Sequence, residues 1–323
     1  MIIVTGAAGL IGSAVVRELN RRGHDDLLLA DHLGTSEKWM NLRTLRYADY
    51  LEKEDLIGRL KTIDPREVDA IIHLGACSAT TERDATYLIQ NNYRYSLDLA
   101  TFAADHEIRM VYASSAATYG DGANGYADDE ARLYELSPLN MYGYSKHMFD
   151  LHLARDRFAP RFAGIKYFNV YGPNEYHKAD MMSVVLKSFR QIKSEGKMRL
   201  FKSYHPDYAD GEQMRDFFYV KDAARLTVYL ALDNPGANGL YNAGAGEART
   251  WKDLGHAIFK AMDLEPNIEF IEMPEQLRGK YQYYTCAPMD KMKSIGYDTP
   301  PTALDDAVAD YVRNYLAQDE RRA

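Results

Sequence analysis

Short apolar runs alternate with longer stretches of helical periodicity through the first half of the chain. The apolar runs predict buried strands at Ile2–Thr5 and at residues 26–30, 44–48, 69–74, 109–113 and 161–167. The amphipathic stretches predict helices that follow the first strand to residue 19 and then cover residues 56–63, 85–105 and 140–157. Strands that alternate with helices in this way predict a parallel, doubly wound α/β sheet.

The pattern changes after residue 170. Long polar loops appear, such as residues 202–214, and only two short strands are predicted, at residues 217–220 and 239–243. We therefore predict a dinucleotide-binding domain over residues 1–170 and a smaller substrate-binding lobe over residues 171–323. Parts of the second segment, such as residues 216–232, are apolar enough to pack back on the first. The charged residues 319–322 are predicted to form a frayed tail.

Three glycines follow the first strand at a spacing typical of dinucleotide binding. Gly6, Gly9 and Gly12 lie between the strand and the first helix, where a pyrophosphate can contact the free N–H groups of the helix N-terminus. The second strand ends at Asp31, about 20 residues further on, where a carboxylate can reach the adenosine ribose. Strand, glycines, helix, strand and acid together predict a Rossmann-like start.

Composition and charge exclude several classes of function. Of 323 residues, 46% are hydrophobic and 27% charged, which is typical of a globular domain, and no apolar run approaches a membrane span. A net charge of −8 argues against nucleic-acid binding. Two cysteines make no disulfide framework, and no His/Cys spacing indicates a structural metal. We expect a cytoplasmic protein without a membrane or nucleic-acid partner.

A tyrosine and a lysine four residues apart form the candidate acid/base pair. Tyr142 and Lys146 share one face of a predicted helix, and an ammonium beside a phenol is expected to lower the pKa of the tyrosine. Ser115 follows the strand at residues 109–113 and has a hydroxyl that can bond a reacting oxygen, although by itself it better fits a turn that caps a helix. With the glycine motif, the set indicates removal of a proton from an alcohol as hydride leaves its carbon.

These residues resemble the extended short-chain dehydrogenase/reductase superfamily over nearly the whole chain. Longer strings resemble, more narrowly, its ADP-heptose 6-epimerase family; these strings cover residues 75–82, 91–93, 112–120, 138–146, 167–173, 177–178, 215–217 and 278–282. The resemblance implies an isomerase that converts ADP-D-glycero-D-manno-heptose to its L-glycero epimer at C6, in lipopolysaccharide core-precursor synthesis. The implied route is transient oxidation to a ketone followed by return of hydride. The family also suggests a homo-oligomer, such as a pentamer.

The resemblance assigns roles to individual residues. Tyr142 and Lys178 would be the two acid/base groups, Ser115 would support the substrate oxygen, and Lys146 would orient the nicotinamide ribose. The substrate-binding residues implied are Ser115, Asn169, Asp180, Lys187, Phe201, Arg215 and Tyr281. Asp180 and Lys187 stand where the family has serine and histidine, and the loop from Phe201 to Arg215 is longer than its usual form. Arg215 would pair with the diphosphate, for which a guanidinium is well suited.

The residues leave the choice of cofactor open. Asp31 favours the free ribose hydroxyl of NAD, whereas Lys38 could neutralise the 2′-phosphate of NADP. The resemblance implies NADP, with Lys38 and Lys53 near that phosphate. The cofactor-binding residues implied are Gly6, Gly9, Leu10, Ile11, Gly12, Asp31, His32, Lys38, Lys53, Leu74, Gly75, Ala76, Cys77, Ser78, Asn91, Tyr142 and Lys146.

Three other functions share parts of this pattern. A nucleotide-sugar dehydratase needs an acid and a base directly after Ser115, where this chain has Ala116 and Ala117. A UDP-hexose 4-epimerase uses the same Ser, Tyr and Lys, and Lys178 distinguishes the heptose enzyme from it. A non-catalytic NADP-sensing module has no need of Ser115, Tyr142 and Lys146 together.

Overall fold

A seven-stranded parallel sheet forms the centre of the molecule. The computed structural model describes residues 1–155, 161–278 and 281–323. The strands of this sheet are β1 (Ile2–Thr5), β2 (Leu27–Asp31), β3 (Asp49–Glu52), β4 (Ala70–His73), β5 (Arg109–Ser115), β6 (Phe162–Tyr167) and β10 (Gly239–Ala243). Their spatial order is β10-β6-β5-β4-β1-β2-β3, with every pair parallel. This is the predicted doubly wound α/β sheet, in which ligands bind at the carboxyl ends of the strands.

Helices cover both faces of the sheet and the smaller elements beyond it. The α-helices are α1 (Leu10–Arg21), α2 (Lys53–Leu60), α3 (Ala85–Leu88), α4 (Tyr95–Asp105), α5 (Met141–Arg155), α6 (Val184–Glu195), α7 (Val220–Val228), α8 (Trp251–Ala261), α9 (Glu275–Arg278), α10 (Asp290–Ser294) and α11 (Leu304–Tyr311). A π-helical segment, Ile89–Arg94, joins α3 to α4, so that residues 85–105 form one helical stretch as predicted. The predicted end of α5 at residue 157 lies outside the described residues. None of the described helices has the length and apolarity needed to cross a membrane.

Two small sheets lie in the second half of the chain. One contains β7 (Asn169–Tyr171), β9 (Met214–Tyr219) and β11 (Ala248–Thr250), and the other pairs β8 (Met198–Phe201) with β12 (Ile268–Ile271). Two later elements instead pack on elements of the first half of the chain, since β10 pairs with β6 and α7 packs against α1. The division into two domains at residue 170 stays a prediction.

The predicted strand at residues 44–48 is wrong, because the side-chain amide of Asn20 takes the backbone hydrogen bonds of Arg46 at its centre. Asn20 donates to the carbonyl of Arg46 at 2.8 Å and accepts from its N–H at 2.8 Å. The third strand therefore begins only at Asp49, where pairing with β2 starts. The following helix, α2, begins one turn before the predicted residue 56 and ends at Leu60.

The predicted frayed tail is also wrong. Glu320 forms an ion pair with Arg190 of α6 at 2.6 Å. Arg322 buries its side chain to 9% exposure and donates to Asn41 at 2.8 Å. The charge pattern of residues 319–322 does not predict these contacts, because the partner residues Arg190 and Asn41 lie far away in the sequence.

Position 12 requires glycine because α1 closely approaches the turn that precedes it. A Cβ at Gly12 would lie 2.0 Å from the carbonyl oxygen of Gly6, a contact that only movement of the backbone could relieve. Gly58 in α2 is exposed, and a Cβ there would meet nothing within 4 Å.

We expect Gly12→Ala to lower the free energy of unfolding by about 1–3 kcal/mol, as forced overpacking does. Gly58→Ala, the matched control, should raise it by about 0.5–1 kcal/mol by removing a glycine from a helix interior. Urea denaturation of both variants measures the two effects. Equal stabilities for the two variants would contradict the close packing at Gly12.

Candidate active site in the dinucleotide cleft

The glycine-rich turn opens a cleft between β1 and β4. Gly6 has φ of +66°, which favours glycine, and a Cβ there would lie 2.6 Å from the amide nitrogen of Gly75. Helix α1 begins after Gly9 with no side-chain cap and no acidic residue in its first turn. Its first N–H groups are therefore open to an anion.

Asp31 lies at the carboxyl end of β2 and organises one end of the cleft. Its carboxylate accepts hydrogen bonds from the N–H groups of Ala8 at 2.8 Å and His32 at 2.7 Å. Lys38 donates to the same carboxylate at 2.7 Å, and both side chains are largely buried. The acid is thus neutralised by a cation that also faces the cleft.

A small side pocket of about 160 Å³ extends the cleft beyond Asp31. Lys53 lines it and donates to the side-chain oxygen of Asn91, which also lines it. His32 lies at its exposed edge, with Nδ1 3.5 Å from a carboxylate oxygen of Glu52. Two lysines, Lys38 and Lys53, therefore face the space beside Asp31.

The cleft contains a cavity of about 540 Å³, which we call the main cavity because most of the predicted residues line it. Every residue predicted to bind the cofactor lines either this cavity or the side pocket. Ser115, Asn169 and Lys178 line the main cavity as well. Periodicity alone did not single out several further lining residues, namely Ala79, Ala113, Ser114, Tyr167, Phe168, Val170, His177 and Met181. The rule that ligands bind beyond strand ends could have found Phe168, since it directly follows β6.

Tyr142, Lys146 and Ser115 meet on one wall of the main cavity. Ser115 caps the short 3₁₀-helix Ala116–Tyr119 by accepting from the N–H of Ala117 at 3.1 Å, so it serves as a cap and also lines the cavity. Lys146 is 4% exposed and donates to the carbonyl of Ala113 at 2.8 Å. Burial lowers the pKa of Lys146 to about 8, although the nearby carboxylate of Asp150 acts in the opposite direction.

The expectation that Lys146 lowers the pKa of Tyr142 is wrong for this structure. Burial raises the pKa of Tyr142 above its ordinary value, and a hydrogen bond with Ser115 offsets only part of that rise. The lysine amine bonds to a backbone carbonyl instead and is itself desolvated. The phenol is therefore protonated at neutral pH in the chain alone.

A buried ion pair lies beneath this wall. Lys166 and Asp150 approach to 2.7 Å, with their side chains 1% and 0% exposed. Asp150 also accepts from Ser114 at 2.7 Å and from Tyr112 at 3.1 Å, while Lys166 donates to Thr118 at 2.6 Å. The pair thus fixes α5, which carries Tyr142 and Lys146, against β5 and β6.

Lys178 faces the same cavity from a loop that follows β7. Burial lowers the pKa of its ammonium, and the nearby carboxylate of Glu175 acts in the opposite direction. Within residues 1–155, 161–278 and 281–323, its amine makes no hydrogen bond or ion pair. The neighbouring His177 also lines the cavity, and burial followed by the charges of Lys38 and Lys178 lowers its pKa to about 4. His177 is therefore neutral at physiological pH.

The remaining predicted substrate residues lie outside the main cavity. Lys187 donates to the carbonyl of Asp180 at 2.6 Å, and Phe201 ends β8. Arg215 is 8% exposed, with its guanidinium 5.2 Å from the ring centre of Tyr281 and 5.6 Å from that of Trp251. Its terminal nitrogens donate to backbone carbonyls of Met214 and Gln282. Residues 279–280 of the resembling string lie outside the described residues.

The cleft has the features that a nicotinamide dinucleotide requires. Glycines remove side chains where the pyrophosphate must approach the backbone, as the close approach of Gly6 to Gly75 illustrates. The uncapped N-terminus of α1 supplies N–H groups, and Asp31 with Lys38 occupies the adenosine-ribose end. The residues present therefore fit the group.

Comparisons with known proteins identify the family of the chain. A sequence profile of the NAD dependent epimerase/dehydratase family matches residues 2–244. The chain is 56% identical over 318 residues to the ADP-L-glycero-D-manno-heptose-6-epimerase of Nitratidesulfovibrio vulgaris (strain DP4), which covers 98% of each chain. It is 46% identical over 330 residues to the enzyme of that name from Fusobacterium nucleatum, with 99% of each chain covered.

A solved structure shows the same architecture. The crystal structure of Helicobacter pylori ADP-L-glycero-D-manno-heptose-6-epimerase matches with a TM-score of 0.80 at 25% sequence identity, over 97% of this chain and 95% of that one. The chain belongs to the NAD-dependent epimerase/dehydratase family of the extended short-chain dehydrogenase/reductase superfamily, and the two relatives above bear the name ADP-L-glycero-D-manno-heptose-6-epimerase.

Proposed function

We propose that this protein epimerises ADP-D-glycero-D-manno-heptose to ADP-L-glycero-D-manno-heptose at C6. The observation that carries the proposal is that Lys178 and Tyr142 line one dinucleotide cavity, in a chain whose full-length relatives bear that enzyme's name. A UDP-hexose 4-epimerase accounts for Ser115, Tyr142 and Lys146 but leaves Lys178 without a role.

The chemistry of the carbon explains the need for a redox cofactor. A secondary alcohol carbon without a neighbouring carbonyl cannot lose its proton readily, because nothing stabilises the carbanion. A bound nicotinamide dinucleotide supplies reversible hydride acceptance, which turns the carbon into a planar ketone that can be reduced on either face.

Tyr142 and Ser115 are the groups that handle the proton on one side of the substrate. The phenol of Tyr142 exchanges a proton with the reacting oxygen, and Ser115 donates a hydrogen bond that stabilises the phenolate form. Lys146 lies one helical turn after Tyr142 on α5 and donates to the carbonyl of Ala113. Its ammonium would hold the nicotinamide ribose.

Lys178 is the second acid/base group. Burial lowers the pKa of its ammonium, which makes the amine easier to deprotonate than a lysine in water. Two acid/base groups on different walls of the cavity suit a ketone that rotates between oxidation and reduction, because one group can serve each orientation. Arg215 and Tyr281 would contact the nucleotide part outside the main cavity. Assembly into a pentamer stays a prediction.

NADP is the proposed cofactor. Asp31 would take the ribose hydroxyl of NAD, but its carboxylate is already bonded to the ammonium of Lys38. Lys53 faces the same space from the side pocket. Two cations beside a neutralised acid favour a 2′-phosphate.

Solvent deuterium tests the proposed reaction. Conversion of ADP-D-glycero-D-manno-heptose in heavy water should give the L-glycero epimer without deuterium at C6, because hydride does not exchange with solvent. Mass spectrometry and proton NMR of the product measure this. Deuterium at C6 would show deprotonation of carbon instead, and turnover of UDP-hexoses alone would favour the 4-epimerase.

Lys178→Met removes the second acid/base group. We expect it to reduce the turnover number by about 10²-fold or more, the usual contribution of a positioned acid or base. Retention of the dinucleotide should be unchanged, as measured by its absorbance after denaturation. Lys193→Met, an exposed lysine of α6, is the matched control. Normal turnover in Lys178→Met would exclude this lysine from the chemistry.

Lys38→Met tests the cofactor. Loss of the ammonium leaves the carboxylate of Asp31 facing the ribose, so NADPH affinity should fall by about tenfold or more while NADH affinity holds or rises. Fluorescence titration with both nucleotides measures the ratio, and Lys61→Met, which lies outside both pockets, is the control. An unchanged ratio would be evidence against NADP.

A further inference from the structure

Two buried asparagines join the two sides of the dinucleotide cavity. Asn41 ends the 3₁₀-helix Glu37–Asn41, which carries Lys38, and is 0% exposed. Asn174 is 1% exposed and lies four residues before Lys178 in the loop after β7. Its φ of +79° lies in the left-handed region, which asparagine adopts more readily than most residues other than glycine. We refer to Asn41 and Asn174 as the asparagine clasp.

The amide donors of the clasp hold the glycine-rich turn. Asn41 donates from Nδ2 to the carbonyl of Ala8 at 2.8 Å and to that of Asn174 at 3.0 Å. Asn174 donates from Nδ2 to the hydroxyl of Ser13 in α1 at 2.9 Å. The turn that receives the pyrophosphate and the loop that carries Lys178 are thereby tied together.

The amide acceptors of the clasp are used by the last residues of the sequence. Arg322 donates from Nη1 to Oδ1 of Asn41 at 2.8 Å, and the backbone N–H of Ala323 donates to Oδ1 of Asn174 at 2.9 Å. Without these donors both oxygens would be buried and unsatisfied, which is costly in free energy.

Further contacts fix the tail segment, residues 319–323, in this position. The guanidinium of Arg322 lies 4.6 Å from the ring centre of Tyr176, whose hydroxyl donates to the carbonyl of Arg321 at 3.0 Å. Arg190 holds Glu320 with two hydrogen bonds, at 2.6 and 2.8 Å. The charge of Arg322 also contributes to the lowered pKa of His177 in the cavity wall, after burial and the charges of Lys38 and Lys178.

We propose that Arg322 is a positioning residue for dinucleotide binding, acting through the asparagine clasp. By bonding Asn41 and stacking on Tyr176, it keeps the glycine-rich turn and the Lys178 loop at the spacing that the bound dinucleotide needs. Its removal loosens both sides of the cavity without touching a group that lines it. The inference rests on the proposed nicotinamide cofactor and is independent of the sugar substrate.

The rate at which NADPH leaves the enzyme tests this role. Arg322→Met should speed its release about tenfold, the effect of losing one charge-assisted hydrogen bond. Arg322→Lys keeps the charge but not the planar stacking and fork, so its effect should be intermediate, at about threefold. Stopped-flow fluorescence of NADPH measures the release, and no sugar is needed.

Arg313→Met is the matched control, because Arg313 is a nearby arginine that pairs with Asp263 and does not touch the clasp. Arg322→Met should unfold at a lower temperature than this control, because it leaves the buried Oδ1 of Asn41 without its donor. Release is therefore measured at a temperature at which both variants are folded. The positioning role would be overturned if both Arg322 variants released NADPH within twofold of the wild-type rate, a difference of about 0.4 kcal/mol. It would also be overturned if the control variant released NADPH equally fast. If Arg322→Met does not fold, Arg322→Lys decides alone. A wild-type chain that binds no NADPH would instead overturn the proposed cofactor.

Discussion

The buried ion pair between Asp150 and Lys166 is the interaction on which the geometry of the candidate active site depends. Removal of one partner from such a pair leaves an uncompensated buried charge, at a cost of about 3–5 kcal/mol. Here the pair joins α5 to β5 and β6 through Ser114, Tyr112 and Thr118. Because Lys146 lies one helical turn before Asp150, and Tyr142 one turn before that, the pair sets both against the strand that ends in Ser115.

Local donors and cations give this acidic chain an anion site. The net charge is −8, yet Lys38, Lys53, Lys146 and Lys178 all face the cleft or its side pocket. Three of these amines are held by an acceptor, namely the carboxylate of Asp31, the side-chain oxygen of Asn91 and the carbonyl of Ala113. The cleft can therefore bind a multiply charged dinucleotide in spite of the field of the whole molecule, since short-range contacts outweigh screened long-range repulsion.

Features governed by local periodicity could be predicted from the sequence, and features governed by distant partners could not. The strands that neighbour β1, the glycine-rich turn and the placement of Tyr142 and Lys146 on one helix follow from neighbouring residues. The failed strand at residues 44–48 depends on Asn20, and the docking of Arg322 depends on Asn41, a partner 281 residues away. The pKa of Tyr142 likewise depends on burial by the whole cavity, which the spacing of two helical residues does not reveal.

The two proposed acid/base groups are held in different ways, and this difference suits an inversion. Tyr142 stands on a helix fixed by a buried ionic network, whereas Lys178 stands on a loop fixed by Glu175 and the asparagine clasp. The amine of Lys178 bonds no other group in the described parts of the chain, so no protein acceptor there would compete with a substrate hydroxyl for it. A rigid phenol and an uncommitted amine can serve two poses of one ketone, because only the amine has to adjust when the sugar turns over.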